Sequence, residues 1–218
     1  MRRLSVLFKD PVSGLTHLAS ALLGAAGLVA LLRTGIAEPP RQAALAIYGI
    51  SLVLLFAASA CYHLLRVSPS RELLFRRLDH SAIFILIAGT YTPLCVIVLA
   101  GVLGTALLVP IWANAAVGIL LKVDFIEKVS TWVSTGIYVL MGWLGLAAVV
   151  PLVRSLPLGG LFWLLGGGLL YTAGAVIYWR GKSSDLRGVL GPHEVWHLFV
   201  SAAAAAHYIA VFHYVANY

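Results

Sequence analysis

Charge is what this sequence has least of. Only 11% of its 218 residues are Asp, Glu, Lys or Arg, whereas soluble domains carry about a quarter. A globule solvated by water on all sides is thereby excluded. Cysteine is almost absent as well. Cys61 and Cys95 fall in different apolar stretches, so no disulfide framework is expected and both read as small packing residues. No internal repeat is found. The small-residue runs Gly166-Gly167-Gly168 and Ala202 to Ala206 look like low complexity, but inside a membrane span such residues let helix backbones approach closely.

What the sequence does have is apolar length. Apolar residues make up 61% of it and its mean hydropathy is +0.96, so the solvent has to be lipid. A helix needs roughly 20 apolar residues to cross the hydrocarbon core. Seven such stretches occur, at approximately 14–32, 43–65, 79–99, 102–121, 130–150, 158–179 and 192–214. The expectation is an all-α membrane protein, a single seven-helix transmembrane domain over residues 1–218. The joints are marked by Glu38-Pro39-Pro40, the basic run Arg66 to Arg77, Gly101 to Gly104, Lys122 to Lys128, Pro151 to Pro157 and Arg180 to Pro192, which are turn and charge signals. Pro110 is expected to kink the fourth span. Asn114, just after it, is expected to hydrogen-bond across helices.

The fifteen Lys and Arg residues set the orientation. If the N-terminus is inside, the cytoplasmic joints hold Arg2, Arg3, Lys9, Arg66, Arg71, Arg76, Arg77, Lys122, Lys128, Arg180, Lys182 and Arg187, and the outer ones only Arg33, Arg41 and Arg154. Twelve against three is a strong positive-inside bias. It places the N-terminus in the cytoplasm and the C-terminus outside, in a multi-pass protein of the cell membrane. It also accounts for the net charge of +7 without a nucleic-acid partner, because the basic residues are scattered over loops. Gly35-Ile36-Ala37 resembles a signal-peptidase site after the first apolar run. Arg33 and the leader containing Asp10 argue against cleavage.

Ionisable residues within spans are costly, and they mark either a function or a paired structural network. His63 ends the second span, Asp79 and His80 start the third, and His193, Glu194 and His197 start the seventh. The second helix runs outward to inward while the third and seventh run inward to outward, so these ends share one membrane face, at the cytoplasmic headgroup boundary. His193 and His197 are spaced i, i+4, which puts both rings on one helical face about 6 Å apart along the axis. His63 can supply a third nitrogen from across the bundle. Three protein ligands with one open position is the arrangement of a catalytic zinc site. Asp79 is then placed to hold or deprotonate a water, and Ser59, one turn before His63, to support it.

Other histidines pass this test less well. His207 lies ten residues beyond His197, about 15 Å deeper and turned about 80° away, so His207 and His213 read as structural or interfacial. His17 is close enough to the inner face to approach the cluster. His80 points elsewhere on its helix. The run His193-Glu194-Val195-Trp196-His197 also spells the H-E-x-x-H signature with Glu194 as base, but Glu194 would have to turn toward the metal.

These residues resemble the haemolysin III family within the progestin and adipoQ receptor (PAQR) superfamily, which includes the adiponectin receptors. The resemblance spans most of the chain. It is carried by Asp10-Pro11 with Thr16-His17, by Ser59-Ala60-Cys61-Tyr62-His63, by Arg77-Leu78-Asp79-His80 through Gly89-Thr90-Tyr91-Thr92-Pro93, and by His193 to His197. It implies a seven-helix fold with a cytoplasmic N-terminus and one zinc ion held by His63, His193 and His197. Asp79 would hold the water and Ser59 would be a further site residue. The superfamily is associated with lipid amide hydrolysis of the ceramidase type, and the haemolysin name implies membrane lysis. The long N-terminal region of the hormone-responding members is missing here, which counts against a receptor role.

Two functions follow as expectations. The first is a zinc-dependent hydrolase acting on a membrane lipid amide. The second is a non-enzymatic, zinc-stapled membrane protein in membrane homeostasis, signalling or lysis. A pore is disfavoured, because no ring of charges crosses the bilayer interior.

Overall fold

The computed structural model of the protein describes residues 7–34, 38–181 and 190–218. Among them are seven helices long and apolar enough to cross a membrane: α1 (Pro11–Leu32), α2 (Pro39–Leu64), α3 (Pro69–Val98), α4 (Val102–Phe125), α5 (Thr131–Ser155), α6 (Leu158–Arg180) and α7 (Pro192–Val215). The fold is the expected all-α membrane bundle. The Gly35 to Ala37 tripeptide and most of the joint between Arg180 and Pro192 lie outside the described residues.

Helix starts are written into the chain by proline. Pro11, Pro39, Pro69 and Pro192 each occupy the first turn of a helix, where the missing N–H has no partner to lose and φ is already helical. The α3–α4 joint instead depends on Gly101, at φ 95°, a backbone conformation that a side chain would strain. α3 is the central, most buried helix. It packs against α2, α4 and α5, while α1 packs on both α2 and α7, and α6 on α7. The α6–α7 contact uses the small residues as expected. A Cβ on Gly167 or Gly174 would collide with His207 or with Phe199 and Trp196, and Ala203, Ala204 and Ala206 are buried.

α5 is held more loosely, and it is irregular. Its α-helical turns give way to a 3-10 stretch over Leu144–Ala148 before resuming. Such a change frees backbone groups that lipid cannot satisfy. The Tyr91 hydroxyl on α3 satisfies them, accepting from the Gly145 N–H at 2.7 Å and donating to the Gly142 carbonyl at 2.5 Å.

Several joints are shorter than expected. The basic run is not a loop: α3 begins at Pro69, so Arg71, Arg76 and Arg77 ride on its first turns and Asp79 lies ten residues, about 15 Å, inside the helix. Basic residues have adequate helix propensity, and hydropathy alone marks only the apolar part of a helix that projects past the lipid. α4 likewise continues through Lys122, which is buried, and α5 continues through Pro151 to Ser155. Helix α4 is unbroken at Pro110. Asn114 is exposed and donates to the Pro110 carbonyl of its own helix at 2.8 Å, instead of reaching across to another.

Candidate metal centre

The ends of α2 and α7 meet at one end of the bundle and bring three imidazoles together. His63, His193 and His197 each offer a ring nitrogen such that these atoms all lie within 4.8 Å of one another. Ring centroids are separated by 5.0 Å for His63 and His193, 4.7 Å for His63 and His197, and 4.6 Å for the i, i+4 pair. The Nε2 atoms of His193 and His197 are 3.3 Å apart. A tetrahedral zinc with bonds of 2.0–2.1 Å requires ligand nitrogens about 3.3–3.4 Å apart, so this pair already has the spacing such an ion demands. No ordinary packing rule draws three buried or half-buried imidazoles to one point, since each carries a polar ring edge that must be satisfied.

Two neighbours fix the rings. Asp10, at the start of α1, lies with Oδ2 3.1 Å from Nδ1 of His63. A carboxylate can only accept, so Nδ1 carries the proton and the lone pair is left on Nε2. That hydrogen bond holds the Asp10 carboxyl below its ordinary range, against the opposing pull of partial burial. The strap is reinforced by the backbone, with the Asp10 N–H donating to the His63 carbonyl at 2.8 Å. Lys9 pairs with Glu72 at 2.8 Å. On the far side His17 does approach the cluster. Both of its ring nitrogens are 3.1 Å from Nδ1 of His197, and its Nε2 is 3.3 Å from the His197 carbonyl oxygen.

Sequence patterning did not single out Asp10 as a site residue, because it reads as the polar leader to the first span. The signal was present in Asp10-Pro11, a carboxylate at a helix start on the same face as His63.

Asp79 and Ser59 are buried beside the histidines. The Ser59 hydroxyl is close enough to act on the Asp79 carboxyl, yet it makes no properly angled hydrogen bond. Both residues line a cavity of about 380 Å³ together with His193 and His197. From this polar end the cavity runs between α3, α5, α6 and α7 past apolar side chains including Leu86, Ile87, Leu152 and Leu164. The remaining candidates separate cleanly. Glu194 accepts from the Gly191 N–H at 2.9 Å, capping the start of α7. His207 bonds the Leu164 carbonyl at 3.0 Å, His213 is exposed, and His80 lines the cavity without being one of the three clustered rings.

The family described as haemolysin-III related matches residues 6–208. The chain belongs to the haemolysin III family. Hemolysin-3 of Bacillus cereus is 37% identical over 99% of this chain and 96% of that protein. The Hemolysin-3 homolog of Bacillus subtilis (strain 168) is 38% identical over 77% of this chain and 75% of its own length. Similarity extends to an animal protein: monocyte to macrophage differentiation factor of Homo sapiens is 32% identical, covering 78% of this chain and 69% of that one. Haemolysin III membership together with the seven apolar helices makes this a multi-pass protein of the cell membrane.

Proposed function

We propose that this haemolysin III protein is a zinc-dependent hydrolase of a membrane lipid amide, with its metal site at the cytoplasmic headgroup boundary. The observation that carries the proposal is a three-histidine cluster of which His193 and His197 line an apolar cavity that also receives Asp79 and Ser59. Apolar walls suit an acyl chain, and the polar end suits the carbonyl to which that chain is attached.

His63, His193 and His197 would hold the zinc. When bound, the ion would polarise the scissile carbonyl and lower the pKa of water toward about 7. The protein does the rest. Asp79 accepts the proton of the attacking water as general base and returns it to the leaving amine. Ser59 stands beside that carboxyl with its hydroxyl uncommitted. The surrounding apolar wall keeps other water away from the reacting carbonyl and holds the acyl chain in register. Asp10 and His17 keep two of the imidazoles in the tautomers that leave a lone pair facing the centre. The distribution of Lys and Arg supports the orientation, since the end carrying the cluster is the basic end.

The test is turnover of a fluorescent ceramide-type amide by purified protein in micelles. The reading expects turnover that chelator abolishes and added zinc restores. Turnover that persists after complete chelation would overturn it.

A second reading keeps the zinc but assigns no reaction. The metal would join α2 to α7, which make few other close contacts, and the protein would act in membrane homeostasis, in signalling or in lysis, the last being what the name of the Bacillus cereus relative suggests. It is favoured if chelation lowers thermal stability while no lipid amide is cleaved under any condition.

A further inference from the structure

The same cavity has a second polar wall that the hydrolase reading leaves unused. Thr131, Ser134, Thr135 and Tyr138 on α5 face it together with His80 on α3. Directly behind stands Lys122 of α4, with only 3% of its surface exposed. Its ammonium donates to the Ser134 hydroxyl, which itself donates to the Ser130 carbonyl at 3.2 Å, and sits 5.9 Å from the Tyr138 ring. An ammonium has three donors, and among the described residues no other partner is found for it. The charged neighbour that acts on it is another cation, Arg76. Both of these cations also act on His80, whose buried Nδ1 has no hydrogen-bond partner. Asp79, the buried carboxylate nearby, acts on Tyr138 and faces His63. Glu72 and Glu127 share an outer groove with Arg76, but Glu72 pairs with Lys9.

A buried cation inside a membrane helix is costly and calls for a counter-charge. Here the surroundings supply a second cation, an imidazole nitrogen without a hydrogen-bond partner and hydroxyls, and among the described residues no carboxylate pairs with Lys122. We infer that Lys122, Ser134 and His80 form a phosphate subsite, which takes the phosphate headgroup of a lipid whose chain occupies the apolar cavity. A lysine behind a hydroxyl suits a phosphate, which accepts several hydrogen bonds at once and needs no planar fork. The inference shares with the hydrolase reading only the entry of a lipid into the cavity, and it does not depend on the metal.

The experiment measures binding of lysophosphatidic acid and of the monoacylglycerol with the same chain to purified full-length protein in maltoside micelles. Zinc content is determined on the same samples. Lys122→Gln should weaken lysophosphatidic acid about tenfold, leave monoacylglycerol and zinc content unchanged, and be largely rescued in Lys122→Arg. Ser134→Ala, a milder change that keeps the ammonium, should weaken lysophosphatidic acid severalfold and serves if Lys122→Gln does not fold. Equal weakening of both lipids, or no change in either, would overturn the subsite. Inorganic phosphate that competes in a Lys122-dependent way would support the subsite and assign it to the free ion as well. A protein that binds lysophosphatidic acid in this pattern yet cleaves no amide would remove the hydrolase reading and leave the subsite standing.

Discussion

Asp10 and His63 are 53 residues apart in the chain and 3.1 Å apart in space, joined by both a side-chain and a backbone hydrogen bond. The residue just before one helix thus sets the tautomer of a histidine at the last turn of the next. Carboxylate–histidine pairs of this kind orient metal ligands, and their loss costs 10- to 100-fold in affinity. Asp10→Asn should therefore weaken zinc binding by about that factor, measured by competition with a chelator of known affinity. Asn can present its amide N–H to Nδ1 and stabilise the opposite tautomer, so it should weaken binding at least as much as Asp10→Ala. Unchanged affinity in both variants would show that the strap is structural only.

Glu194 and Asp79 make opposite predictions. Glu194 spends its carboxylate on the N-terminus of α7, so Glu194→Gln, which keeps the accepting oxygen and loses only the charge, should cost about 0.3–1 kcal/mol of stability and leave turnover nearly intact. Asp79→Asn should retain zinc while lowering turnover by a factor on the order of 10² to 10⁴, the usual scale of general-base catalysis. Steady-state kinetics on both variants, with zinc content measured alongside, separates the two carboxylates. The reverse ranking would favour the H-E-x-x-H reading.

Tyr91 offers a test of the fold alone. Its hydroxyl completes the hydrogen bonding of the 3-10 stretch in α5, and Tyr91→Phe leaves a backbone N–H and a carbonyl without that partner. Each such buried group costs about 1–3 kcal/mol. The variant should lose several degrees of thermal stability in micelles and keep its zinc.

Much of this was legible in the residues because a membrane simplifies the problem. Lipid forces helices, helix length follows from bilayer thickness, and alternation of direction alone places His63, His193 and His197 at one end. The i, i+4 spacing of His193 and His197 then fixes a shared face, and their 3.3 Å separation agrees with it. What escaped was everything hydropathy is blind to. Arg71, Arg76 and Arg77 read as a loop because they are charged, yet they are the first turns of α3. Lys122 read as a loop residue for the same reason and is buried. Asp10 joins the candidate site through the contact between the start of α1 and the end of α2, and no local period in the sequence encodes which helices touch; the approach of His17, by contrast, was legible from its depth in the first span.

The most direct test of the whole account is metal analysis of purified protein. Wild type should carry about one zinc per chain. His63→Ala and His197→Ala should each lose most of it, with a fall in thermal stability reflecting the several kcal/mol that metal binding contributes to folding, while His207→Gln should keep it. Wild-type protein without stoichiometric metal, or equal metal content in all three variants, would contradict the account.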